Sequence, residues 1–317
     1  MKLSEWLKTG LKANSLRTND VLQKEEWKSF DTAVIQAAEA ELVGIADLRS
    51  RGLVRNLGGL GTMIDEWQAV TDMTDANVGM SGAEEGEKDT ITYSTQGVAI
   101  PIIFKQYDLN LRRLLASRKM GTPLDTLQAA RAGRKVGEKA ESILFNGSSV
   151  QADTYAVPGY TTYTGRVQVT IRGNWDDVNA NMARDVETLL AAADTIFHRG
   201  PFVLYLPTRF WTATRSQENT YAQTTWMDRL KKYAEIAAIR WSTQLDYNEV
   251  VMVEMRADTI DLAVGQDVTN LQGEEHFGFV QKFMAFTALA PRLKMDANGK
   301  SGLFHGVATG PTPTPAP

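Results

Sequence analysis

The sequence predicts an α+β protein whose parts are shaped to meet other copies of themselves rather than to run a reaction. Three observations carry that expectation. Apolar residues alternate with polar ones around Ile91 to Phe104, behind a glycine-rich acidic stretch, which reads as one long hairpin. An amphipathic helix of unusual length runs from Thr122 to Phe145. The 317 residues contain no recognisable reaction centre.

The elements follow in chain order. Leu3, Leu7 and Leu11 recur every four residues with Lys2, Glu5, Lys8 and Lys12 between them, which reads as a short helix that docks on its own chain or on a neighbour. A second helical stretch, Glu25 to Leu48, places Ala33, Ala37, Ala40, Val43 and Gly44 near one face. Gly58, Gly59 and Gly61 then break the pattern and read as a hinge between an arm and the body. They are not a phosphate loop, because no Lys-Ser/Thr follows and no strand–loop–helix surrounds them.

Met63 to Val70 is of mixed polarity and extended. Gly79 to Asp89 crowds Glu84, Glu85, Glu87 and Asp89 among three glycines, as expected of a solvated hairpin tip. The return strand alternates at Ile91 and Tyr93 and again at Val98, Ile100, Ile102 and Phe104. Pro101 has no N–H to donate, which puts its strand at a sheet edge. A long hairpin with two polar faces cannot bury itself and should lie on another surface.

In the long helix, Thr122 suits the N-cap, Pro123 the first helical position and Asp125 the dipole. Ala129, Ala132, Gly133, Val136, Ala140, Ile143 and Leu144 make the apolar face, and Asn146-Gly147 a left-handed stop. At a rise of ~1.5 Å per residue it is a rod of roughly 33 Å. Gly133 and Gly137 destabilise a helix interior and point to a second backbone crossing there. Residues 148–173 read as loops with short strands. A helix opened by Asp176 and Asp177 runs to Phe197. Phe202 to Leu206 is a buried strand, followed by a short helix from Thr208 to Arg215 and another from Trp226 to Ala237. Val250 to Val253, Ile260 to Val264 and Phe277 to Leu289 are strands. The Pro/Thr tail after Gly310 cannot pack.

Composition excludes several functions. Cys is absent, so disulfides and thiolate metal ligands are impossible. No apolar run approaches the ~20 residues of a membrane helix, and the first residues lack a signal-peptide core, so the chain is expected to be soluble and cytoplasmic when made. A net charge of -4 and a pI near 5.6 give no basic footprint for gripping nucleic acid. His198, His276 and His305 are scattered. No Gly-x-Ser-x-Gly elbow or His-x-x-x-His pair exists. His198 is expected to cap a helix C-terminus. No catalytic residue, metal site or cofactor is predicted.

Ile100-Pro101-Ile102-Ile103-Phe104-Lys105 to Leu111-Arg112, then Gly121-Thr122-Pro123-Leu124-Asp125-Thr126 to Leu144-Phe145-Asn146-Gly147, resembles the tailed-bacteriophage major capsid proteins and the related encapsulin shells. Ile260 to Asp267 is similar to a strand and turn that both groups place late in the chain. Ala290-Pro291-Arg292-Leu293-Lys294 to Gly299-Lys300-Ser301-Gly302-Leu303 is the more phage-like part. The likeness covers residues 50–305.

The resemblance implies a tailed-phage major capsid fold: an N-terminal arm (1–55), an extended loop hairpin (56–107), a peripheral domain with a long spine helix (108–173 and 271–305), an axial domain (174–270) and a disordered tail (306–317). It also implies a structural protein that assembles into hexamers and pentamers of an icosahedral head. The head would form in the host cytoplasm and end in the virion, around DNA contacted weakly and without sequence preference. Portal, scaffold and decoration proteins are the implied partners, and a membrane is not. The expected intersubunit contacts are Leu3, Leu7, Leu11, Trp67, Glu84, Glu85, Glu87, Lys88, Arg131 and Arg134, with Gly58, Gly59 and Gly61 as the hinge. The alternatives are an encapsulin shell, whose N-terminal helix lines the interior where cargo enzymes dock, and an unrecognised hydrolase.

Overall fold

The structure is a computed structural model that describes residues 24–71, 73, 80, 90–110, 112, 116, 119, 126–177, 180–218, 224–275, 280–296 and 298–308. Its helices are α1 (Lys24–Glu39), α2 (Gly44–Ser50), α3 (Leu127–Asn146), α4 (Met182–Thr195), α5 (Thr208–Ala213) and α6 (Trp226–Leu230). Its strands are β1 (Val54–Asn56), β2 (Ile64–Val70), β3 (Tyr93–Ala99), β4 (Ile102–Asn110), β5 (Ser148–Ala152), β6 (Tyr155–Val157), β7 (Val167–Ile171), β8 (Phe202–Pro207), β9 (Ile236–Ser242), β10 (Glu249–Glu254), β11 (Ile260–Glu275), β12 (Val280–Leu293) and β13 (Leu303–Ala308). They form two compact units, made of the described parts of Met1–Leu42, Ile102–Ala140 and Gln266–Ala288 in one and of Val43–Pro101, Glu141–Gly265 and Leu289–Pro317 in the other.

In the first unit, α1 buries Phe30, Val34 and Ala38. Spaced by four, they form one stripe, whereas Ala33 and Ala37 are only half-buried and Ala40 is exposed. The larger side chains set the buried face, not the alanines the pattern favoured. The helix is also shorter than the 25–48 expectation. Its end tightens to i→i+3 bonds, Glu41 N–H to the Ala38 carbonyl and Leu42 N–H to that of Glu39, before α2 starts. The α1 stripe meets α3 at Gly133 and Gly137, as those glycines predicted. A Cβ on Gly137 would stand 2.5 Å from the Ala38 carbonyl oxygen, and one on Gly133 would stand 2.9 Å from the Val34 Cα.

Phe30 stacks on Phe283 at 5.7 Å between ring centroids, and Phe283 stacks on Tyr107 at 5.2 Å. Asn270 donates to the Tyr107 hydroxyl at 3.0 Å, and burial pushes that phenol up to about 12. Strand β4 pairs antiparallel with β12, Ile102 opposite Ala288 through Asn110 opposite Val280. The residue pattern ended β11 at Val264, and the resemblance implied a strand and turn within Ile260 to Asp267. The strand instead continues to Glu275, because it has a ladder partner and Thr287 donates to the Gln266 carbonyl at 2.8 Å.

The second unit holds a five-stranded sheet in the order β7-β13-β10-β8-β9. Every residue of β8 is buried, as its continuous apolar run requires. Its core unites Val186 and Leu189 of α4 with Phe202, Leu204, Phe210, Trp175 and Phe304. Helix α4 starts at Met182 rather than at Asp176, because Asn181 supplies the cap by accepting the Arg184 N–H at 3.0 Å. Helix α6 stops at Leu230. Turns follow to Glu235, and Ile236 and Ala237 of the expected helix instead begin β9, parallel to β8 with Leu204 opposite Ile239.

His198 does not cap α4 with its ring. Its backbone N–H bonds the Ala193 carbonyl, and its Nδ1 pairs with the buried carboxylate of Glu254. Gly200 N–H and the Thr259 hydroxyl also donate to that carboxylate, at 3.1 Å each. The hydrogen bond to Glu254 raises the His198 pKa against its partial burial. Burial pushes Glu254 up, but the bonds from His198, Thr259 and Gly200 hold it below the usual carboxylate range.

A raised imidazole contributes stability that is complete below its unfolded pKa of about 6.5 and is lost as pH rises through the folded value. A lowered carboxyl contributes stability present above about 4.5 and lost as pH falls through its folded value. The pair is therefore expected to stabilise most between about pH 5 and pH 6.5. His198→Gln should remove that maximum in a denaturation series across pH, and an unchanged profile would show that the pair carries no linkage.

Candidate assembly surfaces

The two strands of the hairpin are described, while its acidic tip from Glu84 to Asp89 lies outside the described residues. Strands β2 and β3 pair antiparallel from Ile64 opposite Ala99 to Val70 opposite Tyr93. Its base is anchored by charges that no spacing rule singles out. Arg292, whose side chain is 5% exposed, grips Asp261 through Nε and Nη2 at 2.6 Å each and reaches Asp65 of β2 through Nη1 at 2.7 Å. Lys294 joins Asp261 at 2.8 Å and Arg55 joins Asp65 at 3.4 Å. Burial works against the Arg292 charge, but its bonds to Asp261 and Asp65 outweigh that and raise its pKa. The half-buried Trp67 ring lies under this guanidinium, 5.3 Å from it, so its face is spent inside the subunit. Farther along, the Tyr155 ring lies on Gly97, where a Cβ would stand 2.9 Å from it. The hairpin is thus held at Asp65 and Gly97.

Its outer half offers apolar groups to solvent. Val70, Met73, Ile91 and Tyr93 are all exposed, and Val70 and Tyr93 are cross-strand partners. The edge strand β4 does the same. The alternation from Val98 to Phe104 suggested one continuous face. Pro101 instead separates β3 from β4, and the parity changes there: Ile103 is buried, while Ile102 and Phe104 are 52% and 58% exposed. Strand β4 is the end strand of the order β1-β11-β12-β4, as the proline just before it favours.

Arg131 is exposed on α3, and Arg134 pairs with Glu41 and Glu138 at 3.0 Å each. The Lys135 ammonium, at 2.6 Å from Glu138, is the main cause of that carboxyl's lowered pKa. Gly58 and Gly59 sit at φ +75° and +128° with open space where a Cβ would point, and Gly61 is equally uncrowded. Leu3, Leu7, Leu11, Glu84, Glu85, Glu87 and Lys88 lie outside the described residues.

A cavity of about 740 Å³ beside Trp175 and Trp226 is lined by Arg209 paired with Asp176, by Glu218 paired with Arg229, and by Asp177. Among the described residues no group of three or more His, Asp or Glu is placed to hold a metal ion. None of their helices is long and apolar enough to cross a membrane.

A family of unknown function, DUF6260, matches residues 14–306. The chain belongs to DUF6260. This DUF6260 chain is 27% identical over 259 residues to the type 1 encapsulin shell protein EncA of Myxococcus xanthus, covering 78% of the chain and 82% of EncA. Its structure matches the capsid of Myoviridae phage XM1 at a TM-score of 0.65 and 11% identity, covering 84% of the chain and 93% of the phage protein. It matches the virus-like particle of Pyrococcus furiosus at 0.59 and 15% identity, covering 88% and 97%. The DUF6260 chain therefore has the fold shared by tailed-phage capsids and encapsulin shells.

Proposed function

We propose that this chain is a structural subunit that closes with copies of itself into an icosahedral shell of hexamers and pentamers, and in the first reading into a phage head around double-stranded DNA. The observation that carries the assembly is the apolar surface a lone subunit leaves in water, on the outer hairpin and on the β4 edge, within a fold shared with capsid proteins. Exposed Phe and Tyr on extended edges are the kind of group that association buries. The phage reading draws on the XM1 likeness and adds portal, scaffold and decoration proteins as partners. The second reading, an encapsulin shell around cargo enzymes, draws on the EncA identity and on α1, which is folded onto α3 rather than extended as an arm.

Electron microscopy and nuclease treatment of particles from the native source separate the two. Protected double-stranded DNA with tails supports the first, and an enclosed protein cargo supports the second. A subunit that stays monomeric at high concentration would overturn both.

Phe104→Asp tests the surface itself. Burying an unpaired carboxylate at a contact that costs about 2 kcal/mol or more on truncation should abolish particles, because every subunit repeats the defect. Circular dichroism and the unfolding midpoint of the free subunit should hardly change. Particles formed at the wild-type yield would remove β4 from the interface.

A further inference from the structure

Glu141 is the buried charge that the proposed assembly does not use. It lies on α3, is 3% exposed, and accepts the Gly44 N–H at 2.5 Å and the Ile45 N–H at 3.4 Å. Those amides open α2, so the carboxyl ties α2 to α3. The fit is tight: a Cβ on Gly44 would stand 2.7 Å from Leu144 and 3.2 Å from the Glu141 Oε1.

The groups facing this carboxyl are acids and phenols. Asp47 of α2 is buried beside it. The Tyr205 hydroxyl of β8 donates to Asp47 at 3.2 Å, and Arg240 of β9 approaches Asp47 at 3.3 Å. The Tyr160 hydroxyl, after β6, is buried with no partner among the described residues. Burial keeps both phenols far above their ordinary range, so they are neutral throughout. The Arg240 guanidinium is spent on Asp47, and no ion pair joins Glu141 to a cation among the described residues.

We infer that the Glu141 carboxyl is a proton-controlled joint between α2 and α3, closed when it is protonated and loosened when it ionises beside Asp47. The site lies within one subunit, so the inference stands or falls apart from the assembly. Burial, with Asp47 adding to it and the backbone N–H groups opposing, pushes the carboxyl up to about 7. The sign is opposite to that of an ordinary salt-bridged acid. Between about 4.5 and about 7 the folded chain holds a proton that the unfolded chain has released, so stability falls as pH rises through neutrality.

The experiment is a thermal series on the purified full chain, as subunit and as particle, from about pH 6 to about pH 8.5, compared with Glu141→Gln. The His198–Glu254 pair contributes a fall of the same sign in both proteins and cancels in the comparison. The wild-type midpoint should drop by about 3 °C more than that of the variant. Equal drops would overturn the joint. Should Glu141→Gln not fold, infrared difference spectra of the wild-type chain decide. A protonated buried carboxyl band that vanishes near neutrality, and vanishes at lower pH in Asp47→Asn, is the expected result. No such band at pH 6 overturns the inference.

Discussion

Arg292→Met is expected to cost about 3–5 kcal/mol and to free the base of the hairpin, the penalty typical of breaking a buried ion pair from one side. The guanidinium satisfies both oxygens of Asp261 and one of Asp65 in a nearly dry site. Removing it leaves Lys294 on Asp261 and the half-exposed Arg55 on Asp65, single contacts in place of a planar fork. It also lifts the cation from the Trp67 face. Denaturant midpoints give the magnitude. Hydrogen exchange over Ile64–Val70 tells whether the loss is local, and protection there should fall further than in β8. Arg292→Lys should recover only part of the stability, because an ammonium cannot reproduce the bidentate grip. Adding Asp65→Asn to Arg292→Met should be less harmful than the two single costs summed, because it removes one of the acids the first change strands. Additive costs would mean that Asp65 and Arg292 are not coupled and that Gly97 and Tyr155 alone hold the hairpin.

The hairpin shows where a sequence is informative about such a fold and where it is not. Alternation around Tyr93 and Val98 is a local consequence of the pleat, so the strand was visible. The parity change at Pro101 was not, because two strands meeting at a proline resemble one strand until each has a partner. The buried run of β8 was equally legible, while the start of β9 was hidden: the helical reading ran through to Ala237, and pairing with β8 is what begins a strand at Ile236. The charged anchors were invisible for a different reason. Asp65, Asp261 and Arg292 are far apart in the chain, and nothing near any of them distinguishes it from a surface residue. Glu141 was worse hidden, since it occupies the place of one more solvated charge on an amphipathic helix. Of the expected contact residues, Trp67 was named in advance, but its partner Arg292 was legible only in three dimensions.

Gly133 offers the test in which the sign alone decides. Alanine in place of glycine within an exposed helix interior stabilises by about 1 kcal/mol. In α3 the added methyl would stand 2.9 Å from the Val34 Cα and closer still to its carbonyl oxygen. Backbone cannot swing aside as a side chain does, so α1 must shift as a body or leave. Leaving exposes Phe30, Val34 and Ala38, and the first two alone are worth roughly 1.5–3 kcal/mol each when buried. Gly133→Ala is therefore expected to lose about 3 kcal/mol or more, against a gain if α1 did not dock there. Hydrogen exchange over Lys24–Glu39 should rise with the loss. Lys139→Ala, on the exposed side of the same helix, should stay within about 0.5 kcal/mol of wild type. Gly137→Ala should repeat the effect, since its methyl meets the Ala38 carbonyl oxygen at 2.5 Å. Two glycines four residues apart then act as one seat. They forfeit helix propensity to let a second backbone approach, and a stabilised Gly133→Ala would show that this seat is empty.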